Sequence, residues 1–224
     1  MRFEVLTEDR SGAVMVSRLM SKIIDPLVSD YNIRIRPHRG RGDVPSNPYQ
    51  APKAQASGLL DLLPAKLRAY DRVFAGSETV LVVIMDSDYH SPGELRDRLI
   101  SLCRKHAPAL HSVVGLCVEE TESWLIGDKS ALMRAYPEAN MSVLDEYRQD
   151  SVCGTWEILC RSILGAKAER VIRVGYPAIG QYKHDWAQRI SEYMEPDRNA
   201  SPSFQRFRSY LSYMIEKTLE SHGR

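Results

Sequence analysis

The chain has little cysteine. Its four residues are Cys103, Cys117, Cys153 and Cys160. No two form a C-x-x-C pair, and none sits at zinc-ligand spacing from a histidine, so neither a disulfide framework nor a common structural zinc site is expected. The four read as reduced core residues. A dominant charge sign is also missing: 30 Lys and Arg stand against 29 Asp and Glu, for a net charge of +1. A globally basic protein, the usual electrostatic signature of a nucleic-acid binder, is therefore excluded, and any such partner must be argued from local patches. No apolar run approaches the length that spans a bilayer. No basic segment followed by an apolar block and a small-residue cleavage site opens the chain. No membrane association is expected, and the default location is cytoplasmic. Internal repeats and low-complexity segments are absent.

With 224 residues, 43% of them hydrophobic, the chain has room for a substantial core. It fits one generous domain or a domain with a helical appendage. The first two-thirds alternates strand-like and helix-like segments. Short strands are predicted over 3–6, 31–36, 80–85 and 113–118. Helical spacing of apolar residues occupies 13–28 and 58–74. A third helix opens at Ser91-Pro92, with Glu94 three residues on as in a capping box, and runs to about Ala107. A loop rich in Gly, Pro, Ser and Asn fills 37–57. The run Val80 to Met85 is uniformly apolar, as a strand buried on both faces would be. This order predicts an α/β fold with a mainly parallel sheet flanked by helices. From Glu120 onward helical signals dominate, around Trp124, Leu132, Thr155 to Leu164, Asp185 to Ile190 and Phe204 to Ile215.

What the chain does have is three acid clusters, each at the end of an apolar run. Glu8 and Asp9 follow the first, Asp86 and Asp88 the third, and Glu119, Glu120 and Glu122 the fourth. If those runs are neighbouring parallel strands, the carboxylates converge on one edge of the sheet. Crowded carboxylates resist ionising together, and a divalent cation that prefers oxygen relieves the repulsion. The pattern reads first as a Mg²⁺ or Mn²⁺ site. Asp86 and Asp88, two apart, would share a face of an extended strand. Glu120 and Glu122 would do so if the strand continues, and Glu119 and Glu122 if a helix has begun. Asp9 reads equally as a helix cap, and the later acids as a solvated helix N-terminus.

These residues carry a resemblance. A glutamate after the first strand (Glu8) and an Asp-x-Asp after a later apolar strand (Asp86-Ser87-Asp88) resemble the TOPRIM-type domain. Topoisomerases, primases, small RNA-maturation nucleases and the overcoming-lysogenization-defect class of nucleases share that fold. More closely, the chain resembles a bacterial TOPRIM-like family of unknown function. Its Glu-x-Glu-x-Trp-Leu-x-x-Asp segment is matched by Glu120 to Asp128, and its Ser-Pro-Ser-Phe by Ser201 to Phe204. Asp9 stands where the common TOPRIM pattern has glycine. The resemblance covers nearly the whole chain. It implies a Rossmann-like core over 1–128, with a helical extension over 129–224 packed on it or merged into a single domain.

The resemblance further implies Mg²⁺- or Mn²⁺-dependent phosphodiester hydrolysis in a bacterial defence or DNA-processing setting. Glu8, Asp86, Asp88, Glu120 and Glu122 would hold metal, with Glu8 alternatively serving as general base. Developing charge also needs a cation. Lys183 is the candidate, with Arg173 and His184 behind it. The plain alternative for Lys183 is an exposed lysine before a helix. Separately, Arg34, Arg36, His38, Arg39, Arg41 and Lys53 concentrate basic charge on the second strand and the loop after it. That suits phosphate contacts, with DNA preferred over RNA, although a solvated basic loop has the same composition. Tyr31 and Tyr49 are candidate stacking residues.

Three rivals stand beside a nuclease. One is a metal-dependent phosphatase, which an apolar strand followed by Asp-x-Asp also suggests. Another is a non-catalytic or partner-dependent subunit of an ATPase-containing complex, because such families are often encoded beside ATPases. The third is a homodimer contact through the apolar last helix, around Tyr210, Leu211, Tyr213, Met214 and Ile215.

Overall fold

The computed structural model describes residues 1–223. Four strands form one all-parallel sheet: β1 (Arg2–Thr7), β2 (Asn32–Pro37), β3 (Thr79–Asp86) and β4 (His111–Cys117), in the order β2-β1-β3-β4. The helices of the βαβ crossovers are α1 (Arg10–Ile24), α2 (Leu59–Phe74) and α3 (Pro92–His106). Beyond β4 the chain is helical: α4 (Glu122–Gly127), α5 (Lys129–Ala135), α6 (Met141–Asp145), α7 (Thr155–Leu164), α8 (Ala168–Val174), α9 (Ala178–Tyr193) and α10 (Pro202–Ser221). Residues 38–58 form the irregular loop expected from their composition.

The sheet is covered on both faces, and β3 shows why its sequence is continuously apolar. Val80, Val82 and Ile84 pack into one core with Phe3, Val5 and Val113, under α1, α9 and α10. Leu81, Val83 and Met85 pack into a second core with Leu6, Leu116 and the inner faces of α2 and α3. β2, at the edge, alternates half-buried Ile33 and Ile35 with exposed Arg34 and Arg36, the period-2 pattern of a strand buried on one side. The first core also takes in Trp124, Leu132, Leu159, Trp186, Phe204 and Ile215, so the helices after Glu120 share it with the sheet.

The last helix lies directly on β4. Gly115 makes this possible: a Cβ there would come within 2.8 Å of Phe207 and 3.2 Å of Trp124. Trp124 stacks on Phe207 at 5.2 Å and meets Phe204 edge-on at the same distance. The apolar face of α10, with Phe204, Phe207, Leu211 and Ile215, is thus buried in the chain's own core. Among the described residues, no helix is long and apolar enough to cross a membrane.

Candidate active site at the sheet switch point

The strand order sets the position of the acids. From β1 the chain moves outward through α1 to β2, then returns through α2 across β1 to β3. α1 packs on one face and α3 on the other. The two helices that leave the carboxyl ends of β1 and β3 therefore diverge and open a crevice between those ends, where open α/β sheets place ligands. Thr7 pairs with Ile84, so Glu8 and Asp86 flank that crevice one and two residues further along. Three acid clusters at the ends of three adjacent parallel strands are what the apolar runs implied.

Local hydrogen bonding fixes each turn. Asp9 caps α1, its Oδ1 accepting from Gly12 N at 2.7 Å. The loop after β2 clamps the loop after β1, since Gly40 N donates to Glu8 O. The β3 and β4 loops continue side by side: Ser87 N donates to Cys117 O and Asp88 N to Glu119 O, both at 2.9 Å. Ser87 Oγ accepts from Glu119 N at 2.7 Å. Asp88 departs from the extended geometry expected of it. Its φ is +47°, so Asp86 and Asp88 are not related by strand alternation. Asp88 instead faces Arg41, whose guanidinium reaches its Oδ2 at 3.0 Å, and it lies close enough to Glu8 to act on that carboxyl's protonation.

The third cluster divides. Glu119, at φ +61°, turns away from the crevice and caps α7, accepting from the backbone N–H groups of Cys153, Gly154 and Thr155 and from Thr155 Oγ1. Glu120 and Glu122 remain, joined by Lys183 of α9, whose Nζ lies 3.1 Å from Glu120 Oε1 and 3.2 Å from Glu122 Oε2. The Lys183 and Glu122 side chains are buried, at 8% and 2% exposure. Lys183 is thus neither exposed nor ahead of a helix. Glu120 and Glu122 form a pair through a turn and the first residue of α4, not through a longer strand. Arg173 and His184 are exposed and outside this arrangement.

The electrostatics mark the crevice as short of positive charge. Burial, then Asp88, raises the Glu8 carboxyl from 4.5 to about 7. Asp86 keeps some solvent contact, yet burial followed by Glu8 and Glu122 holds it well above the usual range, with Lys183 opposing. Burial and Glu122 bring Glu120 to about 7 despite the lysine. Burial alone would lower Lys183, but Glu122 and Glu120 more than reverse this and keep it charged. Asp86 Oδ1 accepts from Thr121 Oγ1 at 2.9 Å. Glu8 Oε2 and Glu120 Oε2 are buried with no hydrogen-bond donor, and Glu122 Oε2 has only the off-angle contact with Lys183.

The donor set is all oxygen, which suits a hard divalent cation, and the orphaned oxygens are where such an ion would satisfy them. As the side chains stand, no three acids or histidines among the described residues converge on one point. The lysine accounts for part of this, because an ammonium already bridges Glu120 and Glu122. Glu8 and Asp86, with Asp88 behind them, are the carboxylates left to take a metal.

Several contributors gave no signal in the sequence. Ser87 and Thr121 hold the acid turns. Glu157 of α7 lies near Lys183, and its carboxyl is raised by burial and then by Glu119. The basic stripe is split. Arg41 belongs to the crevice. Arg36 reaches Glu4 Oε2 at 3.5 Å, a carboxylate 1% exposed in β1 that also accepts from Arg2 at 2.8 Å. Arg34 and Arg39 are exposed. Lys53 is exposed beside a 420 Å³ cleft shared with Asp43 and Asp61. His38 is buried against Thr7 O, and burial lowers its pKa, so it supplies no surface charge. Tyr31 packs on Phe3 and donates to Asp25, and Tyr49, 61% exposed, meets the His106 ring. A groove of about 660 Å³ between α1 and β2 contains no carboxylate.

The rest of the Glu120–Asp128 segment and the Ser201–Phe204 segment meet in a polar staple. Trp124 Nε1 donates to Ser203 Oγ at 2.9 Å, and Asn199 Nδ2 to Trp124 O at 2.8 Å. Asp128 caps α5 through Ala131 N and accepts from Glu195 N. Asp150 accepts from Ser201 Oγ and from Ser203 N and Oγ. One segment thus supplies two acids to the crevice and then anchors itself to the start of α10. No family model matches the chain, and neither does any curated protein or solved structure.

Proposed function

We propose that this is a TOPRIM-like, Mg²⁺- or Mn²⁺-dependent nuclease that hydrolyses phosphodiester bonds at the crevice between β1 and β3. The observation that carries this reading is the crowding of Glu8, Asp86, Glu120 and Glu122 at the ends of three adjacent strands, with orphaned oxygens and with the carboxyl pKa values of Glu8, Asp86 and Glu120 raised. A fold tolerates such repulsion where the site has a use for it. Glu8 and Asp86 would hold the cation, with Asp88 in reserve beside Arg41. When bound, the metal polarises a phosphoryl oxygen and offsets charge on the leaving oxygen.

The chain's own residues would do the rest. Glu8, as the alternative to ligating that cation, would accept a proton from the attacking water as the water oxygen forms the new P–O bond. The scissile P–O bond breaks, and the leaving oxygen takes a proton from solvent. Arg41, half-exposed at the rim, would contact a phosphate, with Arg39 extending that contact along the backbone. Lys183 would offset one of the two charges of Glu120 and Glu122, which limits the negative field that a phosphodiester must enter.

The test is cleavage of plasmid and single-stranded substrates with EDTA, Mg²⁺ or Mn²⁺, comparing the wild-type chain with Asp86→Ala. Metal-dependent cutting that disappears in the variant supports the reading. Equal cutting by both proteins overturns it. One observation favours a second reading, a subunit that cuts only with a partner such as an ATPase: Lys183 is already engaged by two carboxylates, and among the described residues no three acids converge. Inert wild-type protein that gains Asp86-dependent activity with its partner would decide for that alternative.

A further inference from the structure

Two tyrosines stand in solvent on either side of the acid crevice. Tyr89 is 95% exposed and directly follows Asp88 at the end of β3. Tyr176 is 68% exposed and lies between α8 and α9, its ring 6.0 Å from Lys183 Nζ. Tyr89 lies on the Glu8–Asp88 side and Tyr176 on the Glu120–Glu122 side. A ring with almost its whole surface in water contributes nothing to the core. Nor does Tyr89 belong to a broad apolar patch of the kind that docks a protein, because its chain neighbours Asp88, His90 and Ser91 are polar.

The surroundings define what these rings would meet. Arg41, paired with Asp88 next to Tyr89 in the chain, supplies phosphate-binding charge, and the carboxylates supply a place for a cation. The ligand that combines a phosphodiester with a flat apolar surface is a nucleotide chain, and each base offers a π-face without regard to sequence. In a duplex those faces are covered by neighbouring base pairs, whereas in a single strand or a frayed end they are open.

We infer that Tyr89 and Tyr176 are stacking platforms for unpaired nucleobases, which makes single-stranded nucleic acid, or the unpaired end of a duplex, the substrate class of this site. This rests on the nuclease reading and narrows it. Stacking on Tyr89, which follows Asp88 in the chain, would hold the strand on the Asp88 side of the crevice. Tyr176 would hold the strand on the far side of the crevice.

The experiment is fluorescence anisotropy with a labelled 20-nucleotide single strand and a blunt hairpin duplex in Ca²⁺, each checked on a gel for integrity. Wild type, Tyr89→Ala, Tyr176→Ala and the Tyr→Trp replacements are compared. The wild-type chain should prefer the single strand. Each alanine variant should weaken that binding roughly 5- to 100-fold, the range for loss of one stacked base, while duplex binding stays put and tryptophan restores the affinity. Both positions are exposed, so thermal melting should not change and misfolding does not confuse the outcome. Single-strand binding unaffected by either alanine, or a wild-type preference for duplex, overturns the stacking inference. If the plasmid is still cut in an Asp86-dependent way, the nuclease reading survives that result. If neither oligonucleotide binds and nothing is cut, both fail together.

Discussion

Two sets of carboxylates, which meet in the chain at Glu119 and Glu120, are treated in opposite ways. Glu119, Asp128 and Asp150 are supplied with donors: Glu119 by three backbone N–H groups and a threonine hydroxyl, Asp128 by two N–H groups, and Asp150 by two serines. Glu8, Asp86, Glu120 and Glu122 have a hydroxyl, a lysine, one backbone N–H at Asp86 and one another. Burial would raise Glu119, yet its hydrogen bonds bring it below the usual range, whereas Glu8 and Glu120 rise to about 7. The chain can evidently satisfy a carboxylate where architecture requires it. Where it does not, carboxylate oxygens are left without donors, and under the proposed function this difference assigns the first set to structure and the second to chemistry.

The sharpest test of that division is Asp86→Asn. The amide keeps an acceptor for Thr121 but cannot ionise. Activity should fall by about 10³-fold, about 4 kcal/mol of transition-state stabilisation, while thermal melting stays level or rises because a repelling group has gone. A variant that loses both activity and stability would make Asp86 structural and break the comparison.

Next in size is Lys183→Met. Removing one partner of a buried ion pair leaves uncompensated charge, and the expected destabilisation in urea is about 3 kcal/mol. Raising Mg²⁺ or Mn²⁺ should restore part of it, because a divalent cation can serve the same two glutamates. No loss, or no recovery with metal, would separate the lysine from the acid crevice.

Asp150→Ala should cost about 2 kcal/mol through the orphaned Ser203 N–H and the weakened start of α10. It should not change metal affinity measured by calorimetry on the surviving folded protein. A loss of metal affinity would mean that the two carboxylate sets are coupled.

The smallest expected effect is on pH dependence, and its sign distinguishes the sets. Glu8 and Glu120 titrate near 7 when folded and near 4.5 when unfolded. The folded chain therefore holds more protons in that window, and their stabilising contribution, complete below 4.5, is lost as pH rises through 7. Glu119, being lowered, contributes in the opposite sense and loses its share only as pH falls below the carboxylate range. Metal-free protein should melt a few degrees lower at pH 8 than at pH 6, and saturating Mg²⁺ should flatten the difference, because metal binds the ionised carboxylates. Melting that rises with pH would count against the crowded-acid description.

Much of the layout was legible in the sequence because it rests on short-range signals. Three apolar runs and one alternating Ile/Arg segment, the capped helix at Ser91 and the polar loop after Pro37 correspond to β1 to β4, α3 and residues 38–58. Acids after apolar runs marked the crevice because parallel strands end on one edge. The fate of individual acids was not legible. Whether Glu119 or Glu120 faces the crevice depends on a left-handed backbone at Glu119 and on donors at Cys153 to Thr155, which are remote in sequence. The same holds for Asp88, where positive φ replaces strand alternation. Basic composition likewise could not distinguish Arg41, which reaches Asp88, from Arg36, which answers the buried Glu4, or from His38, which is inside.

The polar staple from Trp124 and Asp150 to Ser203 also has a meaning in time. Glu8, Asp86, Glu120 and Glu122 are all made before Lys183, which trails Glu120 by 63 residues, and before the helix that the staple holds against β4. A ribosome therefore emits the carboxylates first and their counter-charge and clamp last. A chain cut short before Lys183 would therefore carry every acid of the crevice without their counter-charge and without the helix clamped on β4.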